Sequence, residues 1–127
     1  MRNNNIPTAA MAMVLLASSS VALAEGPAFN CARASSTVEK TICGSELLSK
    51  LDLALSKNYQ SMMAVSGDLP GGAQDLRSEQ KAWIAKRNKC TSEKCLVDAY
   101  RARIDDVCDV PMIKGAHPDC IIADDVK

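Results

Sequence analysis

From Ser35 onward, apolar side chains return every three to four residues and polar ones fill the gaps, the repeat of amphipathic helices. No stretch alternates apolar and polar positions as a half-buried strand does. Ser36 and Glu39 stand three apart as a capping box and open a short helix that carries Val38, Ile42 and Cys43 and stops at Gly44. Ser45 is the N-cap of a second helix, with Glu46 favourable in the first turn. The spacing of Leu47, Leu48, Leu51, Leu55, Tyr59, Met62 and Met63 carries it to about Ser66. Glycines and a proline between Gly67 and Gly72 end the pattern and make the tip of a helical hairpin. A third helix, from about Ala73 to Asn88, sets Leu76, Gln80, Trp83 and Arg87 along one stripe with Ile84 beside it. After a tight turn, Ser92 caps a fourth, on which Leu96, Ala99, Tyr100, Arg103, Ile104 and Val107 share a face. Beyond Asp109, Pro111, Gly115 and Pro118 predict an irregular tail whose Ile121 and Ile122 fold back onto the helices. The expected fold is all-α, a small hairpin bundle of about four helices with short loops between antiparallel neighbours.

The residues ahead of this pattern read differently. Arg2 supplies a short positive region, Ala9 to Ala17 an apolar run, and Ala22-Leu23-Ala24 a small-residue cleavage site, so residues 1–24 are expected to be a cleavable secretory signal. The apolar run is too short to span a membrane, which takes about 20 residues. No cysteine follows it closely enough to be lipidated. The expected product starts at Glu25 and is periplasmic or secreted, with a helical domain over 25–109 and an irregular tail over 110–127.

Length and charge narrow the function. A chain of 127 residues is at most one domain, which excludes two-domain enzymes. Its 15 basic and 15 acidic residues leave no basic excess for a nucleic-acid backbone. One Trp, two Tyr and one Phe mean that the core is built from Leu, Ile, Val, Ala and Met. All six cysteines, Cys31, Cys43, Cys90, Cys95, Cys108 and Cys120, follow the cleavage site and would meet an oxidising compartment, where disulfides are the default. Six cysteines allow 15 connectivities. The residues fall into three sequence-local couples, and that spacing favours local pairing, with Cys120 tethering the tail to Cys108. A metal site would need reduced thiolates in that compartment, and the C-x4-C of Cys90 and Cys95 lacks the second element of a zinc ribbon. No metal and no cofactor are expected.

Catalytic chemistry is nearly absent. His117, the one histidine, has no nucleophile motif around it and reads as a solvated or tail-packing imidazole. Asp105-Asp106 and Asp124-Asp125 are adjacent pairs that do not face one another on a helix, and they read as surface charge. Gly71-Gly72 lacks the flanks of a phosphate loop. Met62 and Met63 read as core filling. Trp83 reads as the central core residue, with an interface anchor as the competing role. Arg87 and Arg103 lie on largely apolar stripes and read as structural, stems packed and heads paired, with Glu39, Asp52 and Asp98 as available carboxylates.

Charge is distributed unevenly along the chain. Arg77, Lys81, Lys86, Arg87, Lys89, Lys94, Arg101 and Arg103 outweigh Glu79, Glu93 and Asp98. From Asp105 onward, Asp105, Asp106, Asp109, Asp119, Asp124 and Asp125 outweigh Lys114 and Lys127. Such polarity steers a charged partner, or else the two regions neutralise one another within the fold.

The same residues carry a resemblance. Cys31-Ala-Arg-Ala-Ser-Ser-Thr-Val-Glu-Lys-Thr-Ile-Cys43 is followed by Glu46-Leu47-Leu48 and Leu51-Asp52. Gln80-Lys-Ala-Trp83-Ile-Ala-Lys-Arg87-Asn88-Lys-Cys90 and then Cys95-Leu96 with Tyr100 and Arg103 complete the pattern. From about Phe29 to Val107 the chain resembles the LprI-like lysozyme inhibitor family. The resemblance implies an exported, all-helical domain in which Cys31 pairs with Cys43 and Cys90 with Cys95. It also implies a non-catalytic protein that binds and inhibits lysozyme or a related cell-wall hydrolase. Asp105, Asp106 and Asp109 are the candidate contacts for a basic lysozyme, with Trp83 and Arg87 as further candidates. The alternative is a cell-envelope binding module that holds anionic wall polymer, or another envelope protein, through the basic Arg77 to Arg103 segment.

Overall fold

The computed structural model describes residues 25–68, 71–109 and 117–127. Four helices form there: α1 (Thr37–Gly44), α2 (Glu46–Val65), α3 (Gly72–Arg87) and α4 (Glu93–Asp106). Single 3-10 turns add Cys31–Arg33, Ser66–Asp68 and Ala123–Asp125, and there is no strand among the described residues. The signal-peptide reading concerns residues 1–24 and lies outside the described residues, as do Leu69, Pro70 and the Pro111 to Gly115 part of the tail.

Local chemistry explains each helix boundary. The capping box at α1 is complete: Glu39 donates its backbone N–H to the Ser36 hydroxyl, and its carboxylate accepts from the Ser36 N–H. Those backbone donors at Ser36 and Ser35 hold the Glu39 carboxyl below its ordinary range. Ser45 is the single extended residue between α1 and α2, closing the first through its N–H to Ile42 and opening the second by accepting from the Leu48 N–H. The Ser45 hydroxyl also donates to Glu93 of α4 at 2.6 Å, tying this corner to the far end of the chain. Ser92 caps α4 by accepting from the Cys95 N–H. At the hairpin tip Gly71 takes φ 74°, a left-handed conformation that favours glycine, and α3 starts there without a side-chain cap.

The core lies between α2 and α4, and α1 covers one end of it. Ile42, Leu48, Leu51, Tyr100 and Ile104 are fully enclosed, and Leu55, Met62, Leu96 and Val107 are nearly so. Met62 is core filling as its position predicts; Met63 packs at the core's edge. Trp83 corrects its sequence reading: it is only partly buried, and the central aromatic is Tyr100. α4 has the more regular apolar face, so the residue on it sits deeper than the residue on the polar α3.

The chain forms disulfides between Cys31 and Cys43, Cys90 and Cys95, and Cys108 and Cys120. Each closes a short local loop; for the two whose cysteines stand 12 apart the chain-entropy model gives roughly 3 kcal/mol, and it gives less for Cys90–Cys95, which stand 5 apart. The third ties the tail to the end of α4, and polar contacts then dock it. Asn58, buried in α2, accepts from the Ile121 N–H and donates to the carbonyls of Ile121 and Ile104. The Asp105 carboxylate accepts from the Ala123 N–H. Arg101 donates to the carbonyls of Ala123 and Val126, and these two side chains are buried. Ile121 packs partly against the core, as expected, whereas Ile122 is 59% exposed. The 3-10 turn that buries Ala123 directs its neighbour outward.

His117 enters this docking through both ring nitrogens, Nε2 at 2.6 Å from the Cys108 carbonyl and Nδ1 at 2.8 Å from that of Pro118. Two acceptors are satisfied together only by the doubly protonated ring. Accordingly the Cys108 carbonyl, and then the Pro118 carbonyl, raise the imidazole's pKa above its ordinary value. The contribution to tail docking is full below about pH 6.5 and fades as pH rises through the higher folded value. Hydrogen-exchange protection at the Ile121 and Ala123 amides, corrected for the intrinsic pH dependence of exchange, is expected to fall as pH rises above about 6.5. The decline should vanish in His117→Gln. Equal slopes in the two proteins would detach the imidazole from the docking.

Candidate functional site

The node beneath the candidate surfaces is a buried acid. Asp52 of α2 accepts from the Tyr100 hydroxyl at 2.6 Å through one oxygen and from the Ala28 N–H at 2.8 Å through the other. Arg87 of α3 donates to that same Tyr100 hydroxyl at 2.9 Å and lies 4.0 Å from the carboxylate. Burial, and then the Asp52 charge, push the Tyr100 phenol far above its usual value, so the hydroxyl stays a donor at any physiological pH. The guanidinium also donates to Asn88 and stacks 5.5 Å from the Trp83 ring centroid and 5.9 Å from that of Tyr100. Trp83 meets Tyr100 edge-on at 5.1 Å and donates its indole N–H to the Ala99 carbonyl. One carboxylate thereby joins the N-terminal segment, α2, α3 and α4.

Helix α3 buries little, only Leu76 and Arg87 completely, along the stripe completed by Gln80 and Trp83. At about 100° per residue, Arg77, Lys81 and Ile84 fall on one side of that stripe and Glu79, Ala82 and Lys86 on the other. Two depressions follow. Between α3 and α2 runs a groove of about 550 Å³, floored by Phe29, Tyr59, Trp83 and Ile84 and edged by Arg77 and Lys81. Between α3 and α4 lies a shallower hollow of about 430 Å³, where Glu79, Asp106 and Asp109 surround Trp83, Lys86 and Arg103. Trp83 forms the ridge that both share.

The sequence-predicted residues separate accordingly. Asp106, Asp109 and Trp83 come together in the hollow. Asp105 does not join them, because its carboxylate is occupied by the tail at Ala123. Arg87 lies under the groove on the other side of the stripe. Arg103, with a side chain only 5% exposed, pairs with Asp106 at 2.9 Å and Glu79 at 3.6 Å and donates to Gln80. Its partners are thus neither Glu39, which caps α1, nor Asp98, which pairs with Lys94. Much of the basic segment is spent internally: Arg87 and Arg103 are buried, Lys94 faces Asp98, and Arg101 clasps the acidic tail near Asp124. Sequence reasoning missed Glu79 as a member of the acidic cluster and missed the groove. The first has a faint sequence signal, since Glu79 and Lys86 are two turns apart on one flank of α3. The second has none, because Phe29 and Tyr59 reach it from other segments.

Among known proteins, a family model described as Lysozyme inhibitor LprI matches residues 30–107. The match spans all four helices and the Cys31–Cys43 and Cys90–Cys95 disulfides, and it ends one residue before Cys108. No curated protein and no solved structure matches the chain.

Asp52→Ala is expected to cost about 3–5 kcal/mol, since it strands a buried guanidinium and a buried hydroxyl together. Tyr100→Phe removes only the bridging hydroxyl and should cost about 1–3 kcal/mol. Urea titration reads both as a lower midpoint at unchanged slope. An Asp52→Ala midpoint equal to that of the parent would remove the carboxylate from this central role.

Proposed function

This chain belongs to the lysozyme inhibitor LprI family, and from that premise we propose that it is an exported, non-catalytic protein that binds and inhibits lysozyme or a related cell-wall hydrolase. Family membership across all four helices is the observation that carries the reading. Members of the family are exported, which fits residues 1–24 as a signal peptide and a periplasmic or secreted product. The fold suits the task, since a stapled bundle presents a fixed surface and loses little conformational entropy on binding.

The contact face in this reading is the hollow between α3 and α4. Animal lysozymes are basic, and the exposed Glu79, Asp106 and Asp109 offer complementary charge around a half-exposed tryptophan, a residue type enriched among binding hot spots. Asp105 contributes to the field of this end of α4 without being free to make a contact of its own.

The exported chain from Glu25, fully oxidised, is to be titrated into a cell-wall lysis assay with an animal-type lysozyme, beside a reduced and alkylated sample. Saturable inhibition near one-to-one stoichiometry, lost on reduction, is the expected result. No inhibition at large excess overturns the reading. Asp106 is a poor residue to change because Arg103 would lose its closest partner. Combining Glu79→Gln with Asp109→Lys should instead weaken inhibition about tenfold and flatten its salt dependence. Unaltered inhibition by that variant moves the contact off this face.

A further inference from the structure

A chain with one Trp, two Tyr and one Phe sends three of the four, Phe29, Tyr59 and Trp83, to a single groove, and none of the three is fully buried. Ile84, one of the two large exposed apolar side chains among the described residues, lies in the same groove. All three pack against the edge of the core and keep part of their surface outside it. The N-terminal segment, which Ala28 pins to Asp52, lines the end of the groove away from the hairpin tip. Toward the tip, Arg77 and Lys81 stand one helical turn apart, exposed, and neither enters an ion pair among the described residues. Asp52 is the only carboxylate lining the groove among the described residues, and its two oxygens are taken by Tyr100 and Ala28. The groove therefore carries an aromatic and apolar wall, with unpaired cationic groups at the end toward the tip.

We propose that this groove is a binding site for a small monoanion with a flat aromatic body, its rings against Phe29, Trp83 and Ile84 and its carboxylate or sulfonate head between Arg77 and Lys81. The volume of about 550 Å³ lies within the roughly 300–1,000 Å³ typical of small-molecule sites, and the lining has their usual make-up, mostly apolar with a few convergent polar groups. Flat rings suit aromatic walls, which favour edge-to-face and offset contacts. The anionic head receives charge-assisted hydrogen bonds that a neutral analogue forgoes. This site lies on the opposite flank of α3 from the carboxylates of the inhibitor reading and stands independently of it.

The probe is 2-naphthoate, with 2-naphthalenemethanol as its neutral isostere, titrated calorimetrically into the oxidised chain from Glu25. Saturable one-to-one binding of the acid is expected, with at least tenfold weaker binding of the alcohol. Arg77→Gln with Lys81→Gln should lower affinity for the acid at least tenfold while leaving that for the alcohol and the far-ultraviolet circular dichroism unchanged. Ile84→Asp should weaken both. Absent saturable heat, equal affinity for acid and alcohol, or indifference to the double substitution would overturn the proposal. So would binding of a short acidic, aromatic peptide where naphthoate fails, which would make the groove a protein-docking site instead.

Discussion

Asp52 is the constraint from which the rest of the molecule takes its shape. A carboxylate taken out of water is tolerated only when its charge is met, and here two hydrogen-bond donors and a neighbouring guanidinium come to it from three different parts of the chain. Tyr100 brings α4, Arg87 brings α3 and the Ala28 amide brings the N-terminal segment. An apolar residue at position 52 would leave α3 with little reason to choose its present rotation, because it buries only Leu76 and Arg87 completely. The polar node thus supplies register where apolar area is scarce. It also fixes Trp83, which rests on the Arg87 guanidinium on one side and on Tyr100 on the other.

Much of this was legible in the residues, for reasons that differ by element. α1, α2 and α4 announce themselves because each joins a capping serine to an apolar face of regular spacing, and their starts fall at Ser36, Ser45 and Ser92 as the caps require. The arginines of α3 and α4 could be placed indoors, since a charged residue on an apolar stripe must pair its head. Arg103 takes Asp106 from one turn along its own helix, a spacing the sequence carries, whereas its contact with Glu79 depends on how α3 packs on α4, which was not legible. Trp83 was misplaced for a related reason. Size and rarity suggest the centre, but depth is decided by helix packing, and the more apolar α4 places Tyr100 there. The groove was invisible because no periodicity within one helix encodes a surface assembled from Phe29, Tyr59 and Ile84.

The uneven charge of the chain resolves into three uses. Arg101 and Lys50 hold the tail through its carbonyls, with Asp124 near Arg101, so part of the polarity is neutralised internally. Arg87 and Arg103 serve the interior. What remains at the surface sorts to the two flanks of α3, cationic toward α2 and mainly anionic toward α4. A single thin helix therefore separates two potentials of opposite sign, with one tryptophan between them. The tail strengthens the anionic end without belonging to the family match, which stops at Val107.

The placement of the disulfides shows which part of the bundle is left free. All three close short loops near the α1 corner, the α3 to α4 turn and the end of α4. None reaches the hairpin tip, where α2 ends in a 3-10 turn and α3 begins at a left-handed glycine without a side-chain cap. The first two turns of α3, which carry Arg77 and Glu79, thus depend on Leu76 and on Gln80's bond to Arg103 for their hold on the core. The other end of α3 is held twice over, by the Cys90–Cys95 disulfide beyond it and by Arg87 beside the buried Asp52 carboxylate.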